Sequence, residues 1–177
     1  AWLGSITDNT DEAIISPHQH KGIDEYEQLL TTAFQEAYRI LNKNGVATVV
    51  FHSASADVWN ALQLSLLQAG FRVADISFLN RTQRSFKQVT ASTVRDELIL
   101  LLTKTNHATS TEATELREIV DHILEEADKT NDPEELTSQQ LYSRMVSHYV
   151  ARHQAIPLNA SDFYNELANR QAPSRSG

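Results

Sequence analysis

Two short stretches hold the side chains best suited to chemistry. "FHSAS", Phe51 to Ser55, puts His52 and Ser53 directly after a run of β-branched residues. Open α/β sheets bind their ligands beyond the carboxyl ends of strands, so an imidazole and a hydroxyl at this point are candidates to line a pocket. A plainer role is also available, because Ser53 or Ser55 can cap the helix that follows. The second stretch runs from Asn80 to Arg95, where Arg81, Arg84, Lys87 and Arg95 surround Phe86. Cationic groups on a long polar excursion can meet phosphate. Phe86 can equally anchor that excursion to the core.

The histidine pairs are weaker signals. His18 and His20 have no acidic partner at a metal-ligand spacing, and His148 and His153 are five apart, which turns their rings to different faces of a helix. Both pairs read as solvated or capping residues. The absence of cysteine removes disulfides, thiolate zinc sites and thiol nucleophiles, and fits a reducing, cytoplasmic setting. No apolar run approaches the roughly 20 residues of a membrane helix, and no signal peptide precedes the fold.

Charge is unevenly spread over a chain of formal net charge -8. Acidic residues crowd Glu112 to Glu135, where only Arg117 and Lys129 oppose them, whereas Arg72 to Lys104 is locally basic. The acidic whole argues against non-specific nucleic-acid binding, while the basic excursion leaves a phosphate contact open. A charged fraction of 21% against 41% apolar residues is that of a globular chain rather than a disordered one.

The elements that must position these groups are legible in the periodicity. Asp24, with Glu27 three residues on, suits a helix start. Tyr26, Leu29, Leu30, Ala33, Phe34, Ala37, Tyr38 and Leu41 follow at the spacing of one buried face. Gly45 in "NKNG" is expected in the left-handed position that ends the helix. "VATVVF" reads as a central strand covered on both faces. A helix through Trp59, Leu62 and Leu66 follows, with Trp59 in the core and Gly70 as its stop. "FRVADISFL" and "ELILLLT" read as two strands forming an antiparallel pair, joined by the excursion.

Beyond Lys104 the composition changes. "TNHATSTEAT" reads as a linker, Glu115 to Lys129 as an amphipathic helix broken near Pro133, "LTSQQLYSRMVSHYVARH" as a further helix, and the residues from near Ser161 as a short last one. The tail "QAPSRSG" is expected to be disordered. The short last helix begins with an acid and lacks base-reading cations, which favours a helical bundle packed on the sheet or on a partner over a DNA reader.

"YEQLLTTAFQEAYRILNKNGVATVVFHSASADVWNALQLSLLQAGFRV" resembles the region after the catalytic motif in bacterial and archaeal adenine-specific DNA methyltransferases. Their pattern there is "YE..L...F.E..R.L...G......FH......W..L...L..AGF.V". The opening "AWL" is similar to the Trp-Leu that follows their catalytic loop. The resemblance covers about residues 1–104. It implies a fold class of α/β, the carboxyl half of a Rossmann-like methyltransferase sheet with its last strand inserted antiparallel between its neighbours; residues 105–177, which the resemblance does not cover, are expected from their own pattern to be a helical appendage. It also implies that His52 and Ser53 lie beside the target-base pocket, that Arg81, Arg84 and Lys87 meet DNA, and that Phe86 stacks on the extruded adenine.

Two family motifs are missing. The donor-binding Phe-x-Gly-x-Gly loop needs neighbouring glycines, but Gly4, Gly22, Gly45, Gly70 and Gly177 are dispersed. The Asp/Asn-Pro-Pro-Tyr tetrapeptide, whose oxygens accept hydrogens from the target amine, needs paired prolines, and the four here are isolated. The expectation is therefore a part of an adenine-N6 DNA methyltransferase whose reactive motifs lie upstream of Ala1. S-adenosylmethionine belongs to the parent protein, and the chain alone should be inactive. The partners expected are DNA through the parent, a missing amino-terminal half or partner subunit, and self-association through an open sheet edge or the helical tail. The alternative is a non-catalytic scaffold derived from such an enzyme.

Overall fold

The computed structural model describes residues 8, 10–79, 97–104, 119, 121, 123 and 138–171. Helix α1 (Ile23–Ile40) leads into strand β1 (Val46–Phe51), helix α2 (Ala56–Ala69) and strand β2 (Arg72–Leu79). Strand β3 (Glu97–Thr103) and helices α3 (Ser138–Ala151) and α4 (Ala160–Gln171) complete the described elements. The sheet order is β1-β3-β2, and β3 runs antiparallel to both neighbours. Strands β1 and β2 are therefore parallel to each other with the last strand inserted between them. The antiparallel pairing of β2 with β3 agrees with the sequence expectation. A β-bulge between Val73 and Asp75 shifts the register of that pair.

The sheet is one-sided. Leu98, Leu100 and Leu102 of β3 are buried and join a single apolar cluster with α2 and α3. Ala47, Val49 and Phe51 of β1 pack against the same cluster, as do Val73 and Ile76 of β2. On the opposite face Val46, Thr48 and Val50 are exposed. The expectation of a β1 covered on both faces is thus corrected. Among the described residues β1 is an edge strand with one packed face, and its side chains alternate accordingly.

Helix boundaries depend on caps, and two differ from expectation. Helix α1 starts at Ile23 rather than after Asp24, with Gly22 at the cap position. The Gly22 N–H donates to the Glu25 carboxylate at 2.8 Å, which holds that carboxyl below its ordinary pKa. The reaching-back acid is therefore Glu25, not Glu27. At the other end Leu41 is the cap, and Gly45 is not left-handed. Gly45 sits close to its neighbours instead: an added Cβ would lie 2.9 Å from the Leu41 side chain and 3.1 Å from the Asn42 carbonyl oxygen. Lys104 donates to the Leu41 carbonyl at 2.6 Å and sits over the Tyr38 ring, placing a cation at the carboxyl end of α1.

Helix α2 follows its sequence closely. Ser55 is its cap, its hydroxyl accepting from Val58 N–H at 3.5 Å, and Gly70 ends it at φ 96°. Trp59 is buried and meets Phe51 edge-on at 4.8 Å between ring centres. Helices α1 and α2 approach through small polar side chains. The Ser65 hydroxyl donates to the Glu27 carbonyl, and Thr31 donates to the Gln68 side chain.

The carboxyl helices share the core with the sheet. Ile119, Ile123, Leu141, Tyr142, Met145, Val146, Val150, Phe163 and Leu167 are all buried in the common cluster, which matches a bundle packed on the sheet. Helix α4 begins at Ala160, one residue before the expected start. Most of the Glu115 to Lys129 helix, the linker before it and the tail after Gln171 lie outside the described residues. Among the described residues no helix is long and apolar enough to cross a membrane.

Candidate functional site

The carboxyl end of β1 gathers the sequence candidates that the structure describes. Phe51 pairs with Leu98, so His52 comes level with Glu97, the first residue of β3. Leu79, the last residue of β2, pairs with that same Glu97 from the other side. The parallel strands β1 and β2 thus end together around the start of β3. His52 Nδ1 lies 3.9 Å from Glu97 Oε1, with the imidazole half exposed and the carboxylate largely covered. Leu79, paired with Glu97, is exposed.

His52 and Ser53 part company here. Successive strand residues point to opposite faces, and Ser53 is absorbed into the turn: its Oγ accepts from Ser55 N–H at 3.0 Å. The Ser53 carbonyl accepts from the Trp59 indole N–H at 2.9 Å. Ser53 is therefore a turn-forming residue, and His52 is the one with its ring available. Ser55, the alternative capping residue, performs the cap.

Several backbone groups of this turn are engaged. Ala56 N–H donates to Asn159 Oδ1 at 2.8 Å, and the Ala54 carbonyl accepts from Ala160 N–H at 2.9 Å. Ser55 N–H and Val58 N–H are also engaged, by the Ser53 and Ser55 hydroxyls. Among the described residues no group of three His, Asp or Glu could hold a metal ion. The surroundings of His52 can do polar recognition: a half-exposed imidazole 3.9 Å from a carboxylate, with the exposed aliphatic Leu79 paired to that carboxylate's residue.

Arg81, Arg84, Phe86, Lys87 and Arg95 lie outside the described residues. Of the histidines expected to be solvated or capping, His18 is exposed, whereas His148 is half-buried with its Nδ1 2.9 Å from the Arg152 guanidinium. His20 is the left-handed cap of a short 3-10 helix at Pro17–Gln19, and His153 is left-handed just after α3. Sequence reasoning missed Glu97, Leu79 and Asn159. Glu97 was recoverable from pairing, as the residue that opens "ELILLLT" opposite the strand exit. Asn159 carried no local signal, since its partner Ala56 is 103 residues away. No protein-family model matches the chain, and neither a curated protein nor a solved structure matches it.

Proposed function

We propose that the chain forms the carboxyl part of the catalytic domain of an S-adenosylmethionine-dependent adenine-N6 DNA methyltransferase. In this reading it supplies the target-base and DNA side of the pocket. The observation that carries the reading is the sheet order, an antiparallel β3 inserted between parallel β1 and β2. The motif resemblance over residues 26–73 implies that arrangement for the last three strands of the family's sheet. Among the described residues β1 has an unpaired edge, which adds support together with the exposed Val46 and Val50. An apolar edge strand is costly to leave open, and an amino-terminal half or a partner subunit would continue the sheet there.

Each residue then has a limited task. His52, near Glu97, lines the rim of the base pocket, and Leu79 gives it an apolar side. The excursion carrying Arg81, Arg84 and Lys87 meets DNA phosphates, and Phe86 stacks on the extruded base. The chemistry itself requires a methyl donor and acceptor oxygens for the target amine, and both belong to the complementary part. Residues 1–177 alone are then expected to leave DNA unmethylated.

Calorimetry with S-adenosylmethionine tests this. The complete polypeptide, or the chain joined to its complementary half, should bind the donor, and residues 1–177 should give no heat. A complete polypeptide that binds no donor sinks the proposal in favour of a non-catalytic scaffold.

A further inference from the structure

We infer that the segment Gln154–Ala160 is a strap that positions the turn carrying His52, with Asn159 as the positioning residue. The role assigned to that turn rests on the methyltransferase reading above; the strap itself rests on geometry alone. Five hydrogen bonds join the segment to residues 54–63. Asn60 takes both backbone groups of Ile156, accepting from its N–H at 2.8 Å and donating to its carbonyl at 3.2 Å. The Gln63 side chain donates to the Gln154 carbonyl at 3.2 Å. Ala160 N–H reaches the Ala54 carbonyl, and Asn159 Oδ1 takes the Ala56 N–H. Ile156 and Ala160 are buried and pin the strap between these bonds. Pro157 keeps the chain around it out of helix.

The orientation of Asn159 is the telling detail. It precedes the first residue of α4, and its carbonyl accepts the Phe163 N–H, so it occupies the N-cap position. An asparagine at that position normally turns its side-chain oxygen to the amides of its own helix. Here the oxygen is given to the first residue of α2 instead. One residue therefore starts one helix and caps another, and the second of these is the helix that leaves the His52 turn. Together with the Ala160 bond, this fixes residues 54 and 56 against α4, close to the imidazole at residue 52. The carboxyl helices are then part of the rim's construction, holding His52 level with Glu97.

The test is amide exchange on residues 1–177, comparing Asn159→Ala with Asn159→Asp. The aspartate keeps an oxygen acceptor at the same position. Asn159→Ala should lower protection of the Ala56 amide by about tenfold, leave Leu100 in β3 protected as in the parent chain, and weaken the His52 cross-relaxation to Glu97. Asn159→Asp should restore all three. Unchanged Ala56 protection overturns the strap, and so does an equal loss at Ala56 and Leu100, which would mark only lower global stability. A second arm uses the complete polypeptide and DNA with 2-aminopurine at the target adenine. Asn159→Ala should reduce the fluorescence rise of the extruded base while donor affinity stays the same. If Ala56 responds but the unsubstituted polypeptide gives no rise, the strap stands and the base-pocket role falls.

Discussion

A pair of substitutions on opposite faces of the sheet tests its one-sidedness. Leu100 sits on the central strand, opposite Val49 and Ile76 in register, and is 0% exposed. Replacing it by alanine removes buried methyl groups and leaves a cavity that the two flanking strands cannot close. That should cost about 2–5 kcal/mol, a large share of the roughly 5–15 kcal/mol that holds a typical domain. Val50, on the other face, is 51% exposed. Val50→Thr preserves shape and β-branching and adds a hydroxyl where water can reach it, so its cost should stay within about 0.5 kcal/mol. Urea unfolding at two protein concentrations gives both numbers. A loss above about 1.5 kcal/mol for Val50→Thr, of the size expected for a buried and unpaired hydroxyl, would refute the open face. If that loss grew with protein concentration, a second copy would be covering the valine.

Three further outcomes follow from the same geometry. Residues 1–177 should self-associate through the open edge, and Val50→Lys should shift sedimentation toward the monomer, because an edge-strand charge blocks pairing; equal sedimentation of both chains would oppose this. Gly70→Ala should destabilise by about 1–2 kcal/mol, since Gly70 has φ 96° and an added Cβ would lie 3.1 Å from the Tyr38 ring; a neutral melt would contradict it. Burial, aided by the charge of Arg72, holds the His153 imidazole below its ordinary value of 6.5. The unfolded chain then binds the proton more readily, so stability is complete above that value and declines as pH falls through it. His153→Gln should flatten this shallow slope, and an unaltered pH profile would show that His153 does not contribute.

What could be read from the sequence was what depends on near neighbours. Ser55, Trp59 and Gly70 define α2 because a cap, a buried face and a left-handed stop are all properties of adjacent residues. The β2–β3 pair was legible because two apolar runs follow one another with no helical spacing between them. The errors came where a distant group intervenes. Gly45 looks like a helix stop, yet it is not left-handed and sits close to the Leu41 side chain. "VATVVF" looks buried on both sides, yet among the described residues it pairs with β3 alone and leaves Val46 and Val50 exposed. At the candidate site His52 was visible and its partner Glu97 was not, since their approach is created by strand register. Asn159 is the extreme case, because its residue type points to a cap while the helix it serves lies far back in the chain.

Transfer of labelled methyl groups from S-adenosylmethionine to adenine N6 in duplex DNA tests the functional assignment most directly. It should be measured for the complete polypeptide that contains these residues and for residues 1–177 alone. The assignment requires label in adenine with the first and none with the second. Label with residues 1–177 alone, or none with the complete polypeptide, would contradict it.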